Sequence, residues 1–156
     1  MKGERQPASI HVFVSGQRLT LLGAGGEVRR EYAVSTSRFG VGTEAGSFRT
    51  PLGRFEIARK IGEGAALGAV FKGRAPTGET GDASNPDDLI QTRILWLHGL
   101  EAENANTFDR YIYIHGTNHE DEIGTPASHG CIRMRNGDVA ELYEIVAEGT
   151  PVLIHP

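Results

Sequence analysis

The chain has 156 residues, the length of one ordinary domain, and at that size roughly 70% of the unfolded surface is buried, so a core forms without disulfide staples. Apolar residues at 38%, charged residues at 23% and 21 glycines describe a soluble, turn-rich fold and exclude a helical bundle. A net charge of −4 with no Lys/Arg block excludes the electrostatic footprint of a nucleic-acid or anionic-membrane partner, and no apolar run reaches the roughly 20 residues needed to span a bilayer.

Met1 to Pro7 is polar with no apolar stretch behind it. It does not read as a signal peptide, which predicts a cytoplasmic protein; a periplasmic or extracellular location follows instead if this end has been trimmed. Ile10 to Val14 alternates, Ser15-Gly16-Gln17 turns, Arg18 to Leu22 returns, and Val28 to Ser35 gives a third strand: a meander. Thr36 to Gly53 is broken by glycine and proline and reads as loop, and Arg54 to Ala58 alternates again. Residues 61–92 are Gly/Ala-rich and then polar. A stretch that long with weak periodicity is expected to be a lid or binding loop over a site, outside the core sheet. Arg93 to Leu97 and Arg110 to Ile114 read as strands with like endings, Leu97-His98-Gly99 and Ile114-His115-Gly116, which predicts two histidines delivered to one sheet edge. Val139, Leu142, Tyr143 and Val146 mark the one convincing helix, with Asn136 as its N-cap and Gly149 as its C′ residue. Val152 to Ile154 gives a last strand. The picture is a single, mostly antiparallel β domain over 1–156, folded from 8 to 155, with one helix near the C-terminus.

The single cysteine, Cys131, rules out a disulfide framework and a Cys-rich zinc site. A lone cysteine is usually a buried small hydrophobe, but Ser128-His129-Gly130 before it is polar and turn-like. A thiol serves as a nucleophile when a base takes its proton or a neighbour lowers its pKa. His115, at a strand end before Gly116, is the first candidate base and His129 the second. Consecutive N–H groups at Gly130 and Cys131 are candidates for an oxyanion hole. His98 reads as structural or supporting, His11 and His155 as surface residues. A zinc hydrolase built on His115 and His119 is an alternative, disfavoured because Gly116-Thr117-Asn118 makes a poor helix; a non-catalytic binding module is another, disfavoured by the intact Cys/His pair.

The stretch Ile114-His115-Gly116-Thr117-Asn118, Ile123-Gly124 and Ser128-His129-Gly130-Cys131-Ile132-Arg133-Met134 resembles the signature of the bacterial L,D-transpeptidase catalytic domain. Thr50-Pro51-Leu52-Gly53-Arg54-Phe55 is similar to a further segment of that family. The resemblance implies a β-sandwich-like fold with one helix and no cofactor or metal. It implies that Cys131 attacks the carbonyl of diaminopimelate at position three of a peptidoglycan stem tetrapeptide, expelling D-Ala and leaving a thioester. His115 is then the base, oriented by the Gly116 carbonyl, and His129, Gly130 and Cys131 supply the oxyanion region. Ser128, Arg133, Tyr113, Thr117 and Asn118 are the substrate-binding candidates, with Arg133 or Arg135 for a carboxylate. Water is the expected acceptor, as in an L,D-carboxypeptidase that trims recycled stems; the amine of a second stem, giving a 3→3 cross-link, is the alternative.

Overall fold

A computed structural model describes residues 8–156. Alternating apolar residues build β1 (Ser9–Phe13), β2 (Arg18–Leu22) and β3 (Val28–Ser35), an antiparallel meander. β4 (Gly53–Ile61) follows the long loop, then come β5 (Ala69–Lys72), β6 (Ala75–Thr80), β7 (Ile90–Gly99), β8 (Tyr113–Gly116), β9 (Ile132–Met134), helix α1 (Asn136–Ile145) and β10 (Pro151–His155). The domain is mostly β with one helix, as expected.

The strands form one sheet in the order β4-β10-β1-β2-β3-β9-β8-β7-β5-β6, and β4 also pairs with β7. The first eight strands of that order therefore close into a ring, with the β5–β6 hairpin appended to β7. Two pairings are parallel, β1 with β10 and β8 with β9. Inside lie Ile10, Val12, Leu19, Leu21, Phe55, Ile57, Leu97, Ile114, Ile132, Met134, Val152 and Ile154, each contributing about 1.5–3 kcal/mol on burial. Val139, Leu142 and Tyr143 of α1 pack into the same core.

Five expectations from the sequence need correction. Residues 61–92 are not a loop outside the sheet: they hold β5 and β6, and β5 pairs with β7. The like-ending strands do not bring two histidines to one edge, because β7 and β8 run antiparallel, with Ile94 opposite His115 and Trp96 opposite Tyr113. His98 stands four residues further along β7, roughly 13 Å away, paired with Glu56 of β4. Asn136 is the first helical residue and not the cap. Its N–H is capped by Glu120 at 2.7 Å, while its side chain donates to Gln91 and Thr117 and accepts from Thr92. The helix closes at Val146, so Gly149 serves the following turn and not the helix end. His11 and His155 are half-buried rather than free on the surface, with Nδ1 of one 3.0 Å from Nε2 of the other.

Candidate active site

The site is built on the parallel pair β8–β9. Ile114 lies opposite Ile132 and His115 opposite Arg133. Side chains alternate along a strand, so Ile114, Ile132 and Met134 enter the core while Tyr113, His115, Cys131 and Arg133 share the other face. On that face Cys131 packs beside Phe71, Ile94, Trp96 and Tyr113. His115 is thus one step diagonally from the thiol, on the same face.

The turn before Cys131 is fixed by local hydrogen bonds. Gly130 has φ +124°, a conformation other residues avoid. Ser128 Oγ donates to the Cys131 carbonyl at 2.7 Å and accepts from the Gly130 N–H at 3.2 Å. Thr50 Oγ1 donates to the Gly130 carbonyl at 3.0 Å, so the Thr36–Gly53 loop buttresses the turn. Two expectations change here. Ser128 is fully buried and shapes the turn instead of meeting substrate. The Gly130 N–H is already engaged by Ser128 Oγ, so of that pair only the Cys131 N–H stays a candidate for an oxyanion.

His115 is buried, and its Nδ1 lies 2.5 Å from the Gly116 carbonyl. With the proton on Nδ1, that bond leaves Nε2 as the acceptor a base requires. Gly116 owes its identity to close approach: a Cβ there would lie 2.7 Å from the Gln91 carbonyl oxygen. Burial lowers the His115 pKa, as does Arg133, against the opposing pull of Asp88 and the Gly116 carbonyl. The imidazole is therefore neutral at pH 7.

Cys131 is half-buried. Its Sγ accepts from the Tyr113 N–H at 3.3 Å and donates to the Tyr111 carbonyl at 3.4 Å. No direct hydrogen bond joins it to His115 among the described residues. Desolvation pushes the thiol up to about 12, a rise aided by the Asp88 charge and opposed by the Tyr113 N–H, Arg110 and Arg133. At neutral pH the group is a protonated thiol, and a thiol in that state reacts as a nucleophile only when a base takes its proton.

Two acids that sequence reasoning missed organise this face. Asp88 Oδ1 is 3.0 Å from Arg133 Nη1, and its Oδ2 is 3.5 Å from His129 Nδ1. Burial works to raise the Asp88 carboxyl, but the nearby His115 ring and the Arg133 charge, with hydrogen bonds from Arg133 and His129, hold it below its ordinary value. Glu122 lies 2.7 Å from Arg133 Nη2. Arg133, with 1% of its side chain exposed, is therefore a buried cation between two carboxylates and is not open to a substrate carboxylate. Asp88 stands in a polar run, Asn85-Pro86-Asp87-Asp88, with no local mark to separate it from its neighbours.

The remaining candidates divide. Asn118 Nδ2 donates to the carbonyls of Asp82, Asn85 and Asp87, and its Oδ1 accepts from the Leu89 N–H. It staples the 82–89 segment over the end of β8 and is not a substrate ligand. Thr117 is fully buried and accepts from the His119 N–H, again a structural task. His119 Nε2 lies 2.6 Å from the Asn85 carbonyl oxygen and so holds the same segment, away from any zinc-like arrangement with His115. Among the described residues no three His, Cys, Asp or Glu side chains are grouped as metal ligands. Tyr113 stays at the site, its hydroxyl bonded to Arg74. His129 is exposed at the rim, against Phe39 and Phe48.

A cysteine and a neutral, carbonyl-oriented histidine share one face of a β domain, an arrangement of residue types suited to a thiol nucleophile and its base. A model of the L,D-transpeptidase catalytic domain (YkuD) matches residues 7–154, and the chain belongs to that family. It is 40% identical over 74 residues to YqjB of Bacillus subtilis, a match covering 47% of this chain and 39% of that one. With YkuD of the same organism it shares 57% identity over 42 residues, 27% of this chain and 26% of the other. Both relatives carry L,D-transpeptidase names. L,D-transpeptidase 3 of Mycobacterium tuberculosis has the same fold, with a TM-score of 0.63 at 17% identity over 97% of this chain and 61% of that chain. LdtMt1, solved with imipenem, gives 0.60 at 19% identity, covering 96% and 59%. The matches thus span well under two thirds of these proteins' lengths.

Proposed function

We propose that this domain transfers the acyl group of a peptidoglycan stem peptide through a thioester on Cys131. The observation that carries this reading is the pairing of a protonated thiol with a buried neutral His115 on one face of β8–β9, in a chain of the L,D-transpeptidase family. The thiol attacks the carbonyl of residue three of a tetrapeptide, and its proton passes to His115 Nε2. Rotation about the Cys131 Cα–Cβ bond is the smallest motion that turns Sγ from the Tyr111 carbonyl toward His115. The Cys131 N–H faces the oxyanion. Collapse breaks the bond to D-Ala, whose amine leaves with the proton from His115. The acceptor then attacks the thioester, His115 takes its proton, and the thiol is restored.

The amine of a second stem is the acceptor that the relatives' names support. The expectation of water rested on a cytoplasmic location and soluble, recycled tetrapeptides; of the two cations expected to receive the departing D-Ala, Arg133 and Arg135, Arg133 is engaged with Asp88 and Glu122. The test is mass spectrometry of the protein incubated with a soluble tetrapeptide. An adduct on Cys131, loss of D-Ala and a cross-linked dimer are expected. Tripeptide without dimer makes the domain a carboxypeptidase, and absence of both adduct and turnover removes the acyl-transfer reading. Acylation of Cys131 by imipenem, the ligand solved with LdtMt1, gives an independent readout of thiol reactivity.

A further inference from the structure

On the face around Cys131, Arg74 is a cation with no carboxylate partner among the described residues. Arg74 sits at the turn between β5 and β6, its backbone in the left-handed region at φ +66°. Its guanidinium carbon lies 4.8 Å from the centre of the Trp96 ring and 5.2 Å from that of Tyr111, and Nη1 is 3.3 Å from the Tyr113 hydroxyl. Tyr111 and Tyr113 are also the two residues whose backbone atoms hold the Cys131 sulfur. The nucleophile and the guanidinium are thus fixed by opposite ends of the same two residues. Trp96 is itself held, stacked on Phe108 at 3.9 Å with Nε1 donating to the Phe108 carbonyl.

Arg74 differs from the other arginines near the site. Arg133 is closed between Asp88 and Glu122. Arg110 donates to the carbonyls of Gly42 and Arg49 and to Ser47. Arg74 has no carboxylate partner among the described residues and is only half-buried. A guanidinium carries five N–H donors in a planar fork suited to a carboxylate. The aromatic floor restricts where that fork points, so little side-chain entropy is left to lose on binding.

We propose that Arg74 is the carboxylate receptor of this site and sets its preference for acidic acyl donors. The proposal rests on the acyl-transfer reading above. A stem tetrapeptide offers two carboxylates, at its C-terminus and on the side chain of residue three, and the chemistry at Arg74 is the same for both. Substrate binding displaces water from the Arg74–Trp96 face, and Trp96 is the only tryptophan in the chain, so its fluorescence reports occupancy directly.

The test compares wild type, Arg74→Gln and Arg74→Lys with three peptides: the free tetrapeptide, its C-terminal amide, and the peptide amidated on the side chain of residue three. Arg74→Gln should raise KM for the free tetrapeptide roughly tenfold to a hundredfold with little change in kcat, and Arg74→Lys should recover part of it. One amide should bind wild type and Arg74→Gln alike, and that amide identifies the carboxylate received. Binding is read separately by Trp96 fluorescence in Cys131→Ser, with and without Arg74→Gln. If Arg74→Gln weakens all three peptides equally, or none, Arg74 is not the receptor while the acyl-transfer reading stands. If wild type turns over no peptide and Cys131→Ser binds none, the acyl-transfer reading fails and the receptor role with it.

Discussion

At the scale of single residues, the site sets apart groups that react from groups that hold. Cys131 is half-buried and bonded only to backbone, so Cys131→Ala should fold with almost unchanged thermal stability and form no acyl adduct. A mutant that loses its fold instead would make the thiol a packing residue. His115→Gln keeps a hydrogen-bonding group at the same place and should cost roughly a hundredfold to ten-thousandfold in kcat. Because burial lowers the His115 pKa, the acid limb of kcat/KM should have its midpoint below 6.5. Arg133 is the holding group. Removing it leaves two carboxylates facing one another, so Arg133→Met should destabilise by about 3–5 kcal/mol in urea titrations. Arg133 also helps keep His115 neutral, so the same variant should move the acid limb upward. A downward move would show that Arg133 does not act on His115 through its charge.

At the scale of elements, what the sequence revealed depended on how locally each element is determined. β1 and β10 alternate in burial because one face meets the core, and that pattern is readable along the chain. β6 is exposed at all six positions, so it carries no such signal; its strand form comes from pairing with β5. β9 has three buried residues and is hidden inside the motif that ends at Met134. The pairing of Cys131 with His115 was legible because strand end and turn are both local. The closing of Arg133 by Asp88 and Glu122 was not, because Asp88 is 45 residues away in sequence and arrives only when β7 is in place. Asn118 makes the same point for the 82–89 segment. It looked like a site residue because it follows His115, yet it bonds four backbone groups of 82–89. Asn118→Ala should raise amide hydrogen exchange across 82–89 strongly while leaving β1 to β3 protected. Uniform protection after the substitution would mean that other contacts fix this segment.

At the scale of the whole molecule, the two reactive groups set opposite limits on stability with pH. His115 has a lowered pKa in the folded state, so below 6.5 the unfolded chain binds more protons there, and this contribution fades as pH falls through the folded value. Cys131 rises from 9.0 to about 12 on folding, so its contribution is present below 9 and is lost as pH climbs toward 12. Stability should be highest between about 6.5 and 9. Replacing Cys131 by Ala should flatten the alkaline side only, as followed by thermal melts across the range.

The ring of strands has one more consequence, for how the protein is made. β10 lies between β4 and β1 and hydrogen-bonds to both, yet its residues, Pro151–His155, are translated after every other strand of the domain. Until they leave the ribosome, β1 and β4 each wait with an open edge, and open edges recruit foreign strands. The nascent domain is therefore a vessel without its last stave, exposed to chaperones and to its own copies throughout synthesis. The arrival of β10 decides whether the ring closes on itself or on a neighbour.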